Sequence, residues 1–413
     1  MNETALAESP VSEVRLTEPE PKAQGAIRLT SLDAFRGLVM VLMLVEHTHL
    51  HEVARAFPSS AFWRLIAFNT DHVDWQGCSL HDLIQPAFSF LVGAALPFSI
   101  ASRKLKGQAF GPMLGHAIRR ALILILLGIF LRSLSSAHTY FTFEDTLTQI
   151  GLGYVFLFLL GFTRPRTQVV TLVLILIFFW AAFALYPAPG PQFDYARVGV
   201  PPDWSHNYTG FLSHWNKNSN LSWAFDVWFL NLFPREQPFV FNEGGWSTLS
   251  FIPTLGTMIL GLLTGEWLKG RGSKERKLRG LVIAGAGLLL LGLVLQWAGI
   301  CPIVKRVWTS SYTLYSGGLV VLILAGFYAL IDWKGWRRWA FPLVVVGMNS
   351  IAIYVMSWTM VGFFSDAVER HFGRAIAVMA GPIFQPVLHG FAVLLIFWFI
   401  LFWMYRRKIF LRI

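Results

Sequence analysis

The chain has 413 residues, of which 55% are apolar and only 14% charged. A soluble domain carries about a quarter charged residues, so an ordinary water-soluble enzyme is excluded. The net charge of +11 raises the question of a nucleic-acid partner, but no basic cluster interleaves with aromatics on a polar module, and none is expected. The two cysteines, Cys78 and Cys301, exclude a disulfide framework, a four-cysteine zinc site and an iron–sulfur cluster, and leave room for one disulfide at most.

Residues 1–29 are polar, contain Pro10, Pro19 and Pro21, and read as a disordered cytoplasmic tail rather than a signal peptide. Beyond them come apolar runs near the ~20 residues that cross a bilayer, at 31–50, 80–102, 114–132, 146–162, 168–186, 248–267, 280–298, 312–331, 340–363 and 383–405. This pattern predicts an all-α, polytopic integral membrane bundle of about ten transmembrane helices over residues 30–405. A basic cytoplasmic tail, 406–413, follows.

The first run carries Asp33, Arg36 and Glu46, and the second carries Asp82, Pro86 and Pro97. An ionisable group at the bilayer centre costs at least about 2.5 kcal/mol. Both runs are therefore expected to face a wet or protein-lined interior, with Asp33 and Arg36 paired at i, i+3. Lys and Arg fix the orientation. They crowd the connections around Arg103–Lys106, Arg119–Arg120, Lys269–Arg279, Lys334–Arg338 and Arg406–Arg412, and are sparse in the alternate loops. Both termini are thus expected inside, with contact to anionic lipid headgroups, in the plasma (inner) membrane.

Two histidine groups lie at the opposite face. His47 and His51 share a helix face at i, i+4, spacing that suits interfacial polar packing or a metal, although the zinc-hydrolase pattern is missing and no metal is expected. The stretch Asp71-His72-Val73-Asp74 places an imidazole between two carboxylates. With an ordinary pKa near 6.5, His72 can take or give a proton at neutral pH, as a general base requires, or it can be a plain surface residue. The largest loop, 187–247, is expected outside and holds Trp204, Trp215, Trp223, Trp228 and Trp246. Such rings either anchor at the interface or stack on sugar faces.

The order of motifs resembles the heparan-alpha-glucosaminide N-acetyltransferase family of membrane acyltransferases. The strings are Leu32-Asp33-Ala34-Phe35-Arg36-Gly37, His72-x-x-Trp75-x-Gly77 and Asp82-Leu83-Ile84-x-Pro86-x-Phe88-x-Phe90-x-x-Gly93, followed by Leu147–Gly151, Gly245–Leu249, Pro302–Ser311 and Gly347–Ser350. The likeness runs from about residue 30 to 405, and departs at His47, where many members have Asn.

The resemblance implies transfer of an acetyl (acyl) group from cytoplasmic acetyl-CoA to an amino-sugar or glycan acceptor on the far side. His72 matches the family's active-site histidine. Attack of an amine on a thioester needs a base and hydrogen-bond donors for the oxyanion. The expected roles are His72 as base or as the acetyl-carrying nucleophile, oriented by Asp71, Asp74 or Asp82. His47, Trp75, Gln149 and Asn349 are expected around the substrate, and Arg103, Arg119 and Arg120 at the coenzyme phosphates. A homodimer is possible. The rival readings are a secondary transporter of a small polar or sugar-like solute, whose broken helices and intramembrane charges would look similar, and a glycan-binding scaffold without turnover.

Overall fold

The computed structural model describes residues 29–411, so the expected N-terminal tail, apart from Leu29, and the last two positions of the basic tail lie outside the described residues. In chain order the helices are α1 (Thr30–Val45), α2 (Leu50–Ala56), α3 (Ala61–Thr70), α4 (Ile84–Leu105), α5 (Phe110–Arg132), α6 (Thr146–Leu160) and α7 (Pro165–Leu185). They continue as α8 (Leu221–Phe229), α9 (Phe251–Lys269), α10 (Lys274–Trp297), α11 (Ser310–Phe327), α12 (Phe341–Gly347), α13 (Ser350–Thr359) and α14 (Val361–Arg406). Among the described residues the fold is helical throughout, apart from an isolated bridge between Gln76 and Val304.

Seven stretches are long and apolar enough to cross a membrane, or eight if α12 and α13, bent by 64° at the Met348–Asn349 break, form one span. The protein is thus a multi-pass membrane protein, with fewer full-length spans than the ten runs in the sequence. Three runs account for the difference. The first stops as an α-helix at Val45 and turns through a 3-10 segment, Glu46–Thr48, into His49 at φ 53°. The fourth is α6, whose 15 residues reach only about 22 Å at 1.5 Å per residue, short of the ~30 Å hydrocarbon core. The ninth is the bent pair. Each departure places polar groups inside the bundle, where protein rather than lipid surrounds them.

At Gly381, with φ 68°, α14 breaks and its halves fold back on each other, so that Phe364 meets Phe397 at 5.5 Å between ring centroids. The centre of the bundle is the α4–α9 pair. A Cβ on Gly261 would lie 1.9 Å from the Phe90 carbonyl oxygen, and one on Gly265 would lie 2.3 Å from that of Ala94. Only glycine lets these backbones touch, which suits helices associating by close packing in lipid. This crossing fixes α4, and therefore the residues at its two ends. By contrast α7 and α10 bury less than a third of their apolar stretches and form the lipid-facing shell.

The 187–247 loop folds over one end of the bundle. Trp215 is buried and stacks on Phe183 at 6.3 Å. Trp228 stays exposed. Cys78 and Cys301 are both free thiols, and burial pushes the Cys78 thiol up to about 12.

Candidate active site

Asp82 sits at the entrance of α4. Ser79 and Asp82 form a reciprocal cap: the Asp82 N–H donates to Ser79 Oγ at 3.2 Å, and the Ser79 N–H donates to Asp82 Oδ2 at 3.0 Å. The Ser-x-x-Asp spacing thereby satisfies helix-start donors that would otherwise be orphaned. The same carboxylate reaches back into the preceding loop, taking the Val73 N–H at 3.2 Å and the Ser79 hydroxyl at 3.1 Å through Oδ2. Its Oδ1 lies 2.7 Å from His72 Nδ1.

A second segment closes the site. Gly77, at φ 116°, adopts a backbone few side-chained residues accept and donates its N–H to Ile303 O at 2.9 Å. This stitches the His72 loop to residues 301–306 and brings Lys305 Nζ to 3.2 Å from both Asp82 Oδ1 and His72 Nδ1. Lys305 is 3% exposed. Arg306 donates to Val73 O at 3.3 Å and to Gly244 O at 3.1 Å, and its guanidinium stacks over Trp246 at 4.6 Å. The Tyr312 hydroxyl donates to the Asp82 carbonyl at 2.8 Å.

Electrostatics fix the imidazole. With Asp82 Oδ1 accepting, His72 Nδ1 carries the proton, and Nε2 keeps its lone pair. Burial holds the His72 pKa below its ordinary value; the Asp82 hydrogen bond opposes this, and the Lys305 and Arg306 charges assist it. Burial likewise lowers Lys305, against the pull of Asp82. His72 is accordingly neutral at physiological pH, as a base or nucleophile must be.

His72 lines a cavity of about 430 Å³, together with His47, His81, Trp246, Lys305, Glu144, Asp145 and Tyr354. Burial raises the carboxyls of Glu144 and Asp145. A second cavity of about 950 Å³ holds Arg36, Arg103, Lys106, His116 and Arg120. Phe88, on α4, lines both. Asp82 and Arg103 stand at opposite ends of that helix, about 30 Å apart at 1.5 Å per residue.

The expected site residues divide accordingly. His72, Asp82 and His47 come together, and Arg103 and Arg120 share the second cavity. Asp71 accepts the His72 backbone N–H at 2.7 Å, and Asp74 is exposed; neither is placed against the imidazole as Asp82 is. Trp75 is fully buried, with its indole N–H spent on Trp215 O at 3.2 Å, away from the cavity. Gln149 donates to Phe143 O at 2.7 Å and Thr248 O at 3.2 Å inside the bundle. Asn349 clamps the chain end through Ile409 O and the Leu411 N–H. Arg119 is exposed outside the second cavity. Asp33 and Arg36 pair at 3.6 Å. Among the described residues no three His, Cys, Asp or Glu side chains converge as metal ligands.

Lys305, Arg306 and His81 carried no expected role in the sequence, and Trp246, expected to anchor at the interface or stack on a sugar, instead lines the His72 cavity under Arg306. Lys305 and Arg306 sit in the Pro302–Ser311 string, where a Lys-Arg pair on the lysine-poor side was a usable signal.

No protein-family model matches the chain. Among curated proteins it is 23% identical over 380 residues to heparan-alpha-glucosaminide N-acetyltransferase of Mus musculus, covering 82% of this chain and 54% of that protein. The Homo sapiens protein of the same name is 23% identical over 368 residues, covering 79% and 52%. The chain spans about half the length of the curated relatives it matches, and the relationship is a distant one.

Proposed function

We propose that the protein is a membrane acyltransferase that moves an acetyl group from acetyl-CoA, held on the Arg103–Arg120 face, to the amine of an amino-sugar or glycan acceptor on the His72 face. The observation that carries this reading is the pair of cavities that share Phe88 in their walls, one basic and one holding a neutral imidazole with its Nε2 lone pair unclaimed. The names of the two relatives favour this chemistry over transport. In this reading the Arg103–Arg120 face is cytoplasmic and the membrane is the plasma membrane.

Arg103 and Arg120 are held by neutral partners, Gln108 and Tyr154, and retain full charge for the coenzyme phosphates. Glu46, Glu144 and Asp145 line the other cavity beside Arg132 and Lys305, and these carboxyls are hydrogen-bonding and ionic partners for an acceptor that arrives as an ammonium ion. The ammonium first loses one proton to solvent, and His72 Nε2 takes a second as the amine nitrogen attacks the thioester carbonyl. The C–S bond then breaks, and the imidazolium gives its proton to the departing thiolate. In the two-step variant Nε2 itself attacks, forming acetyl-imidazole, which the amine then opens. Asp82 keeps the Nδ1 proton in place in either case, and Lys305 balances the carboxylate. His47 is the nearest expected donor to the oxyanion.

The test is turnover in purified protein with labelled acetyl-CoA and glucosamine. Thiol release coupled to N-acetylglucosamine formation is expected, and His72→Ala is expected to lose about 10³-fold in rate while keeping its thermal unfolding profile. Uptake of solute into proteoliposomes without thiol release would instead identify a carrier.

A further inference from the structure

A groove of about 850 Å³ runs between α7, α9, α10 and α11, on the lipid-facing shell, and shares no wall residue with either cavity of the candidate site. Along α7 its wall reaches from Val169 to Trp180 and along α10 from Gly280 to Leu295, about 16 Å and 22 Å at 1.5 Å per residue. One bilayer leaflet, half of the ~30 Å hydrocarbon core, has a similar depth. Midway, a Cβ on Gly287 would meet nothing within 4 Å, so α10 faces open space there.

The wall offers an occupant almost nothing polar. The Trp180 indole N–H is spent on Ile300 O at 2.8 Å and that of Trp267 on Lys277 O at 3.1 Å. The Thr264 hydroxyl donates to Leu260 O and the Ser310 hydroxyl to Leu176 O. With these donors engaged inside the protein, the groove suits an alkyl chain and leaves a polar solute unsatisfied.

The two ends differ. Trp180, Ile300 and Cys301 close one end. At the other, the Arg276 guanidinium lies over the Trp267 ring at 5.9 Å, and Arg166 stands one helical turn before Val169. Positions 164–166 and 266–279 together carry eight Lys or Arg against two Glu, and one of those, Glu266, is engaged by Gln168 at 3.0 Å. A single-leaflet apolar groove with a cationic mouth fits a chain that ends in an anion. A second copy of the protein fits less well. Twofold pairing about an axis along the membrane normal would bring the same basic mouth of both copies to one level, like charge against like.

We infer that this groove is a binding site for an anionic diacyl phospholipid, with an acyl chain lying between α7 and α10 and the phosphate held at Arg166 and Arg276. The site is independent of the transfer reading above.

The test is native mass spectrometry of the full-length protein, stripped of lipid in neutral detergent and then given equimolar phosphatidylglycerol and phosphatidylcholine with the same oleoyl chains. The wild type is expected to retain phosphatidylglycerol about tenfold over phosphatidylcholine. Gly287→Trp, which fills the groove, should abolish retention of both, and Ile283→Trp, at an exposed position of the same wall, should do so without touching the core. The double variant Arg166→Glu, Arg276→Glu should hold the two lipids equally. Equal retention by the wild type, or unchanged preference in the groove-filling variants, overturns the site. Dimers that these variants dissolve while lipid retention persists would assign the groove to a second copy instead.

Discussion

In the His72 cavity three ionisable groups lock together within 2.7–3.2 Å, a carboxylate, an imidazole and a lysine almost fully buried. In the cavity on the other side of Phe88, Arg103 and Arg120 lie against an amide and a phenol. The first arrangement spends its charges on one another, and what remains is an oriented lone pair. In the second Arg36 is paired with Asp33, whereas Arg103 and Arg120 meet only neutral partners among their hydrogen bonds, and such charge is what an anionic ligand requires. Reaction chemistry depends on preorganised geometry, whereas capture of a polyphosphate depends on surplus charge, and the two faces should respond to mutation in different parameters.

The largest effect is expected from breaking the orientation on the first side. Asp82→Asn removes the acceptor that fixes the Nδ1 proton and should lower kcat by about 10²–10⁴-fold, with little change in KM for acetyl-CoA, as steady-state kinetics will show.

Lys305→Met tests the same cluster through stability. It leaves the buried Asp82 carboxylate without its cation, and losing one partner of a buried pair costs about 3–5 kcal/mol. A clear fall in the thermal unfolding midpoint in detergent is expected. If unfolding is unchanged, the ion pair is not structural.

The same substitution moves a pH profile. The folded pKa of His72 lies below its ordinary value of 6.5, so the acid limb of kcat/KM is expected below pH 6.5. Lys305 is one of the charges that lower it, and its removal should shift that limb to higher pH. The sign carries over to folding. A histidine whose pKa is depressed contributes stability that is complete above pH 6.5 and declines as pH falls toward the folded pKa.

The smallest effects belong to the basic cavity. Arg120→Ala and Arg103→Ala should each raise KM for acetyl-CoA by about tenfold, the loss of one charge-assisted hydrogen bond, and leave kcat nearly intact. Arg119→Ala, outside the cavity, should change neither. Equal effects from all three would mean that general surface potential, not this cavity, attracts the coenzyme.

Much of this contrast was legible in the residues. His72 and Asp82 stood out as polar groups beside apolar runs, and Arg103 and Arg120 as a cluster on the lysine-rich side. Trp75, Gln149 and Asn349 have the side chains of ligand contacts, yet their polar atoms are occupied by Trp215, Phe143 and Ile409 carbonyls. Spacing along a chain does not say whether a distant carbonyl will claim a donor. Lys305 was missed for the converse reason, being 223 positions from Asp82 and joined to it only where the Gly77 turn meets Ile303.

From composition and hydropathy alone came the helical membrane class, since a bilayer leaves the backbone few other ways to satisfy its hydrogen bonds. Tertiary structure decided which carboxylate holds His72, that a lysine completes the cluster and that Phe88 lines both cavities. The packing that holds α4 there depends on backbone approaches at Gly261 and Gly265, where the absence of a side chain matters only once a particular neighbour has arrived.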